Sequence, residues 1–172
     1  MTMLRIVHQL NKQLITTNLQ CYVNMNIKQS IQKFVNFCLN DPLTETTLEN
    51  LLKNLDFLMI VVHDLEYEFD VNDYPENPNI KYEYIATIIN NRFPNLGYYN
   101  SVLDISEKLT ETEVAIGDAT DDLTDIIIEL KNVLWCYKHT SEADALWHLQ
   151  HSYESHWGTH ARNLQLYLHS CI

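Results

Sequence analysis

Three glycines and four prolines are spread over 172 residues, so the chain has few places to turn sharply and must be built from long regular elements. The spacing of apolar residues makes those elements helices. Ile27, Ile31, Phe34, Val35 and Cys38 recur three and four apart, which lines one face of a 3.6-residue period, and Asp41-Pro42 ends that run. Thr46 with Glu49 three residues on has the form of a capping box, and the apolar series from Leu48 to Val62 predicts a second helix reaching Glu66. The acidic, proline-punctuated stretch "DVNDYPENPN" reads as a loop. A third helix takes Ile80, Tyr84, Ile85, Ile88 and Ile89 and breaks at "FPNLGYY". Residues 94–116 show no legible period and are expected to be irregular.

Two long helices close the chain. One runs from Asp118 to His139 with Leu123, Ile126, Ile127, Leu130, Val133, Leu134 and Tyr137 on its apolar face. The other starts at Ser141, and the two-residue link Thr140-Ser141 makes the pair antiparallel neighbours. The fold expected is all-α, a four- to five-helix bundle whose last two helices form an antiparallel hairpin. Residues 26–172 form a single all-helical domain, and residues 1–25 read as an N-terminal extension. Residues 1–24 carry Arg5 and Lys12 and no acid, whereas the rest of the chain holds all 23 acidic residues.

The formal net charge of −12 argues against nucleic acid as a partner, because a phosphate backbone needs clustered Lys and Arg. It argues equally against an anionic membrane surface. No apolar run approaches the roughly 20 residues needed to cross a bilayer, and the N-terminus lacks the h-region of a signal peptide. Cys21, Cys38, Cys136 and Cys171 are scattered without a C-x-x-C pair, which fits free thiols in a reducing cytoplasm.

One segment stands out chemically. "GDATDDLTDI" (117–126) holds four aspartates. At about 100° per residue, Asp118, Asp122, Asp125 and Glu129 share a narrow stripe beside the apolar face, with Asp121 at its edge. Asp118 after a glycine suits an N-cap, and Asp121 and Asp122 in the first turn complement the helix dipole. Capping leaves Asp125 unexplained. It would pair with Arg162 or Lys131, or serve as a ligand for a hard cation. In "HWGTH" (156–160), His156 and His160 sit four apart, a chelating spacing on one helix face. Gly158 between them suggests that another backbone passes close by. Asp125 and His156 both lie about 15 residues from the turn at 140, so they come level, with His160 beside Asp121 or Asp122. Carboxylate and imidazole would then share a site, either as metal ligands or as Asp–His pairs that merely order the bundle. His148 and His151 point away from the core, whereas Trp147, Tyr153 and Trp157 are expected within it.

Three motifs, "RFPNLGYY" (92–99), "GDATDDLTDIIIELK" (117–131) and "ALWHLQHSYESHWGTHARNLQLYLH" (145–169), resemble a bacterial family known as a domain of unknown function, DUF5063. Its pattern is R-F-P-x-L-x-Y-Y, then G-D-x-x-D-D-L-x-D-I, then H-W-G-x-H. The resemblance spans Ile27 to His169 and implies an all-helical fold without implying an activity. No nucleophile elbow, P-loop or dinucleotide glycine pattern is present, which points to a small cytoplasmic module that binds a protein partner without catalysis. An exposed apolar face on the third helix would pair in a homodimer. The alternative is a metal-binding protein or metal-dependent hydrolase using Asp118, Asp122, Asp125, His156 and His160 around magnesium, manganese or zinc.

Overall fold

The computed structural model describes residues 27–63, 65–103, 105, 111 and 113–172. The N-terminal extension, with Cys21, lies outside them. Among the described residues there are five helices and one short hairpin. They run α1 (Ile27–Leu39), a 3₁₀ turn (Leu43–Glu45), α2 (Leu48–His63), α3 (Tyr82–Arg92), β1 (Tyr98–Val102), β2 (Val114–Asp118) and α4 (Ala119–His139). The fifth helix, 30 residues long, is made of α5 (Glu142–Ser152), a π turn (Tyr153–Trp157) and α6 (Gly158–Cys171). No helix among the described residues is long and apolar enough to cross a membrane.

The bundle is organised around α4, which packs against α1, α3, α5 and α6. Its Leu123, Ile126, Ile127 and Leu130 are fully buried, as are Ile31, Leu51, Ile85, Trp157 and Leu164 from the surrounding helices. Each such side chain contributes about 1.5–3 kcal/mol through removal from water. Trp157 also donates Nε1–H to Ser152 Oγ at 3.1 Å, so its polar edge is satisfied inside the core. Arg92 of α3 donates from Nη2 to the carbonyls of Phe37, at 3.1 Å, and Asp41, at 2.6 Å. It thereby ties α3 to the end of α1, where backbone acceptors are left over.

Several local expectations are corrected. The N-cap of α2 is Thr47, whose Oγ1 accepts from Asn50 N at 3.1 Å. Thr46 instead donates to the Leu43 carbonyl at 2.7 Å, closing the 3₁₀ turn, and Glu49 pairs with Lys53 rather than with the cap. The helix stops at His63. Residues expected to be irregular contain β1 and β2, an antiparallel pair with Tyr98 opposite Asp118 and Val102 opposite Val114. Five-residue strands are too short for alternation to stand out from the surrounding sequence. Trp147 is not part of the core: it lies half-buried against Phe69 and stacks on His151 at 4.9 Å between centroids. On α3, Ile85 and Ile89 face the core while Tyr84 is exposed.

Candidate functional site

The acidic start of α4 and the π turn of the last helix meet because the two helices run antiparallel from the turn at Thr140. Asp118 is the N-cap of α4, its Oδ1 accepting from Thr120 N at 2.9 Å and from Asp121 N at 3.4 Å. One turn later, Asp122 is buried. A buried carboxylate is stable only when its oxygens are paired, and both are. Oδ1 lies 2.6 Å from His160 Nδ1, and Oδ2 accepts the Tyr99 hydroxyl. His156 Nδ1 lies 3.0 Å from Glu129 Oε1.

These two contacts fix the imidazoles. A carboxylate only accepts hydrogen bonds, so each Nδ1 carries a proton, and in the neutral imidazole each Nε2 presents its lone pair. Both Nε2 atoms face one oxygen, Asp125 Oδ2, at 3.8 Å each. That separation is too long for a hydrogen bond and close to the spacing between ligands on one metal ion. One ligand atom from each of Asp125, His156 and His160 falls within 4.8 Å of the other two. The rings stand nearly perpendicular, 5.0 Å apart.

Electrostatics follow from this crowding. The hydrogen bond to Asp122 holds the His160 pKa above its ordinary value against the opposing effect of burial. Burial, followed by the charge of Asp121, raises that of Asp125, and the two histidines partly offset the rise. Tyr99 and Tyr82 are both pushed well up, by burial first and then by their hydrogen bonds to Asp122 and Asp121.

Two glycines make the geometry possible. A Cβ on Gly117 would overlap the Tyr99 ring, coming within 2.7 Å of Cε2 and Oη, so only glycine lets Tyr99 cross β2 to reach Asp122. The tyrosine is held from its other side by stacking on Tyr167 at 5.2 Å. Gly158 follows the π turn, and a Cβ there would strike the carbonyl of Tyr153 and approach its ring at 2.9 Å. The close backbone is therefore the helix's own, brought in by the wide turn, and not a separate segment as the sequence suggested. π turns inside helices are frequent at functional sites; this one carries His156.

Of the five residues singled out in the sequence, the structure brings Asp125, His156 and His160 to one point, with Asp122 behind His160. Asp118 is apart, occupied as the cap. Arg162, offered as a partner for Asp125, instead faces His63 Nε2 and Gln165. Glu129 lay in the acidic stripe, but its role on His156 was not anticipated. Tyr99 and Tyr82 were missed as well. Tyr99 is the second tyrosine of "RFPNLGYY", half-buried where its neighbour Tyr98 is exposed.

Residues 51–172 match a family described as a domain of unknown function, DUF5063. The matched region begins later than the resemblance read from the motifs, leaving out α1. No curated protein matches the chain. Among solved structures, protein BF1032 from Bacteroides fragilis is similar with a TM-score of 0.62 and 18% identity, over 84% of this chain and 89% of that one. This likeness is one of fold.

Proposed function

We propose, from the premise that the chain belongs to the DUF5063 family, that it binds a divalent transition-metal ion through Asp125 Oδ2, His156 Nε2 and His160 Nε2. The observation that carries this reading is the pair of 3.8 Å separations from one Asp125 oxygen to two imidazole nitrogens. Ordering the bundle needs only the Nδ1 contacts; the Nε2 atoms converge on Asp125 as well, at a separation beyond hydrogen-bond range. Asp122 and Glu129 act as the outer carboxylates that orient metal-ligating histidines and raise their basicity. Two imidazoles favour zinc over magnesium or manganese, which prefer oxygen ligands. Three protein ligands leave coordination positions for water, the arrangement of reactive rather than purely structural sites. The bound ion would supply Lewis acidity and an acidified water, which suits hydrolysis. This reading is preferred to a non-catalytic interaction module because it accounts for the Asp, Glu and His residues of the second and third motifs.

Metal analysis of protein purified without chelator, with melting curves in zinc and manganese, tests the proposal. One equivalent of metal per Asp/His site and a raised melting temperature, both lost in His160→Ala, are expected. Absence of bound metal together with unchanged melting in either ion would overturn it.

A further inference from the structure

A second group of ligand-bearing side chains lies across the same helical hairpin, nearer its turn. Cys136 occupies the last turns of α4, and Asp144 and His148 sit four apart on α5. One ligand atom from each falls within 4.8 Å of the other two. His148 Nε2 is 3.6 Å from Asp144 Oδ1, again too long for a hydrogen bond. Cys136 is buried, Asp144 half-buried and His148 exposed, so the group is closed on the side of the thiol and open to solvent on the side of the imidazole. All three line a cleft of about 440 Å³ between the loop at 72–77 and the α4–α5 hairpin. Its wall also carries Asp73, Glu76 and Glu129, and no lysine or arginine is among its lining residues. A concave wall with four carboxylates focuses a negative potential that concentrates cations.

We infer that Cys136, Asp144 and His148 form a second metal site, selective for a soft or borderline divalent ion such as zinc. The choice of ion follows from the ligands: thiolate and imidazole favour zinc over magnesium or calcium. Burial, then the nearby charge of Asp144, pushes the Cys136 thiol up to about 11. It is therefore protonated in the metal-free protein. On binding, the sulfur–hydrogen bond is exchanged for a sulfur–metal bond and one proton leaves to solvent. This inference stands independently of the Asp125 centre.

Cobalt(II), titrated into the chelator-stripped full chain, separates the two sites. The wild type should take two equivalents and show a near-ultraviolet thiolate-to-cobalt charge-transfer band. Cys136→Ser should lose that band and one equivalent while keeping the visible absorption of the histidine centre. His156→Ala with His160→Ala should do the reverse, so failure of either site is seen separately. Lack of a charge-transfer band in the wild type, or a band that survives Cys136→Ser, overturns the inference. Should Cys136→Ser fail to fold, Asp144→Asn replaces it. That variant is expected to weaken the thiolate-band titration about tenfold or more, at least as much as loss of an outer-shell partner does; an unchanged midpoint counts against the site.

Discussion

Replacing Asp122 by asparagine probes the carboxylate that links the bundle to the proposed metal centre. The side chain keeps its size, so packing is preserved; the charge is removed and one acceptor oxygen becomes an NH2 donor, which the Tyr99 hydroxyl accepts by turning its own proton away. Both oxygens of Asp122 are in use, one on His160 Nδ1 at 2.6 Å and one on the Tyr99 hydroxyl. Hydrogen bonds to a charged group contribute about 1.5–3 kcal/mol, against about 0.5–1.5 for neutral pairs. Converting two of them would cost about 2–3 kcal/mol. Relief from burying a charge at a site only 5% exposed offsets part of that, which leaves about 1–2 kcal/mol. For a chain of this length each kcal/mol moves the midpoint by about 2–4 °C, so metal-free Asp122→Asn should melt about 2–8 °C lower. Loss of the outer carboxylate should also weaken zinc binding by about 10–100-fold, read by competition with a chromophoric chelator. Tyr99→Phe, which removes the other partner of the same carboxylate, should cost about 1.5–3 kcal/mol of stability and shift zinc affinity far less. If Asp122→Asn lowers the melting temperature but binds zinc within twofold of wild type, the contact orders the bundle and orients no ligand, and the reasoning fails.

Two further outcomes follow from the same geometry. Gly117→Ala places a methyl group where the Tyr99 ring runs. It should destabilise by about 1–3 kcal/mol in urea denaturation, and the loss should largely vanish in a Tyr99→Ala background; an equal loss in both backgrounds would show that the ring is not what the methyl meets. The pH dependence concerns His160, which faces Asp122, Asp125 and Asp121 and whose pKa is raised on folding mainly by the Asp122 hydrogen bond. The stability it confers on metal-free protein is complete below the unfolded value near 6.5 and is lost as pH rises through the higher folded value. The raised carboxyl of Asp125 has the same sign: its favourable share is present in acid and is lost on ionisation. Melting temperature in chelator should therefore fall from pH 6 to pH 8, with a shallower fall in His160→Gln, while zinc affinity rises over that range. A flat profile, or one unchanged by His160→Gln, would contradict the assignment.

The extent to which this architecture is legible in the sequence depends on how local each signal is. The helices are written in a period that repeats over three or more turns, so α1, α4 and the final helix can be placed from apolar spacing alone. Their antiparallel pairing follows from a two-residue link, and counting from that link sets Asp125 level with His156. The hairpin is not legible, because five-residue strands offer two or three alternations and their partners lie across a connection whose length says nothing about pairing. The π turn is hidden for a related reason: a single widened turn leaves the apolar pattern almost unchanged, and its trace is a glycine with more than one explanation. Gly158 reads as a contact with a foreign backbone until the Tyr153 carbonyl is found against it. Tyr99 shows the limit most clearly. Its role needs a strand that is not predicted, a glycine 18 residues on in the neighbouring strand and a helix starting directly after that strand. Helical periodicity reports which face a side chain takes, not what it meets there. The Asp–His register is legible because one short turn fixes it, whereas the tyrosine behind Asp122 depends on a tertiary crossing that no local pattern encodes.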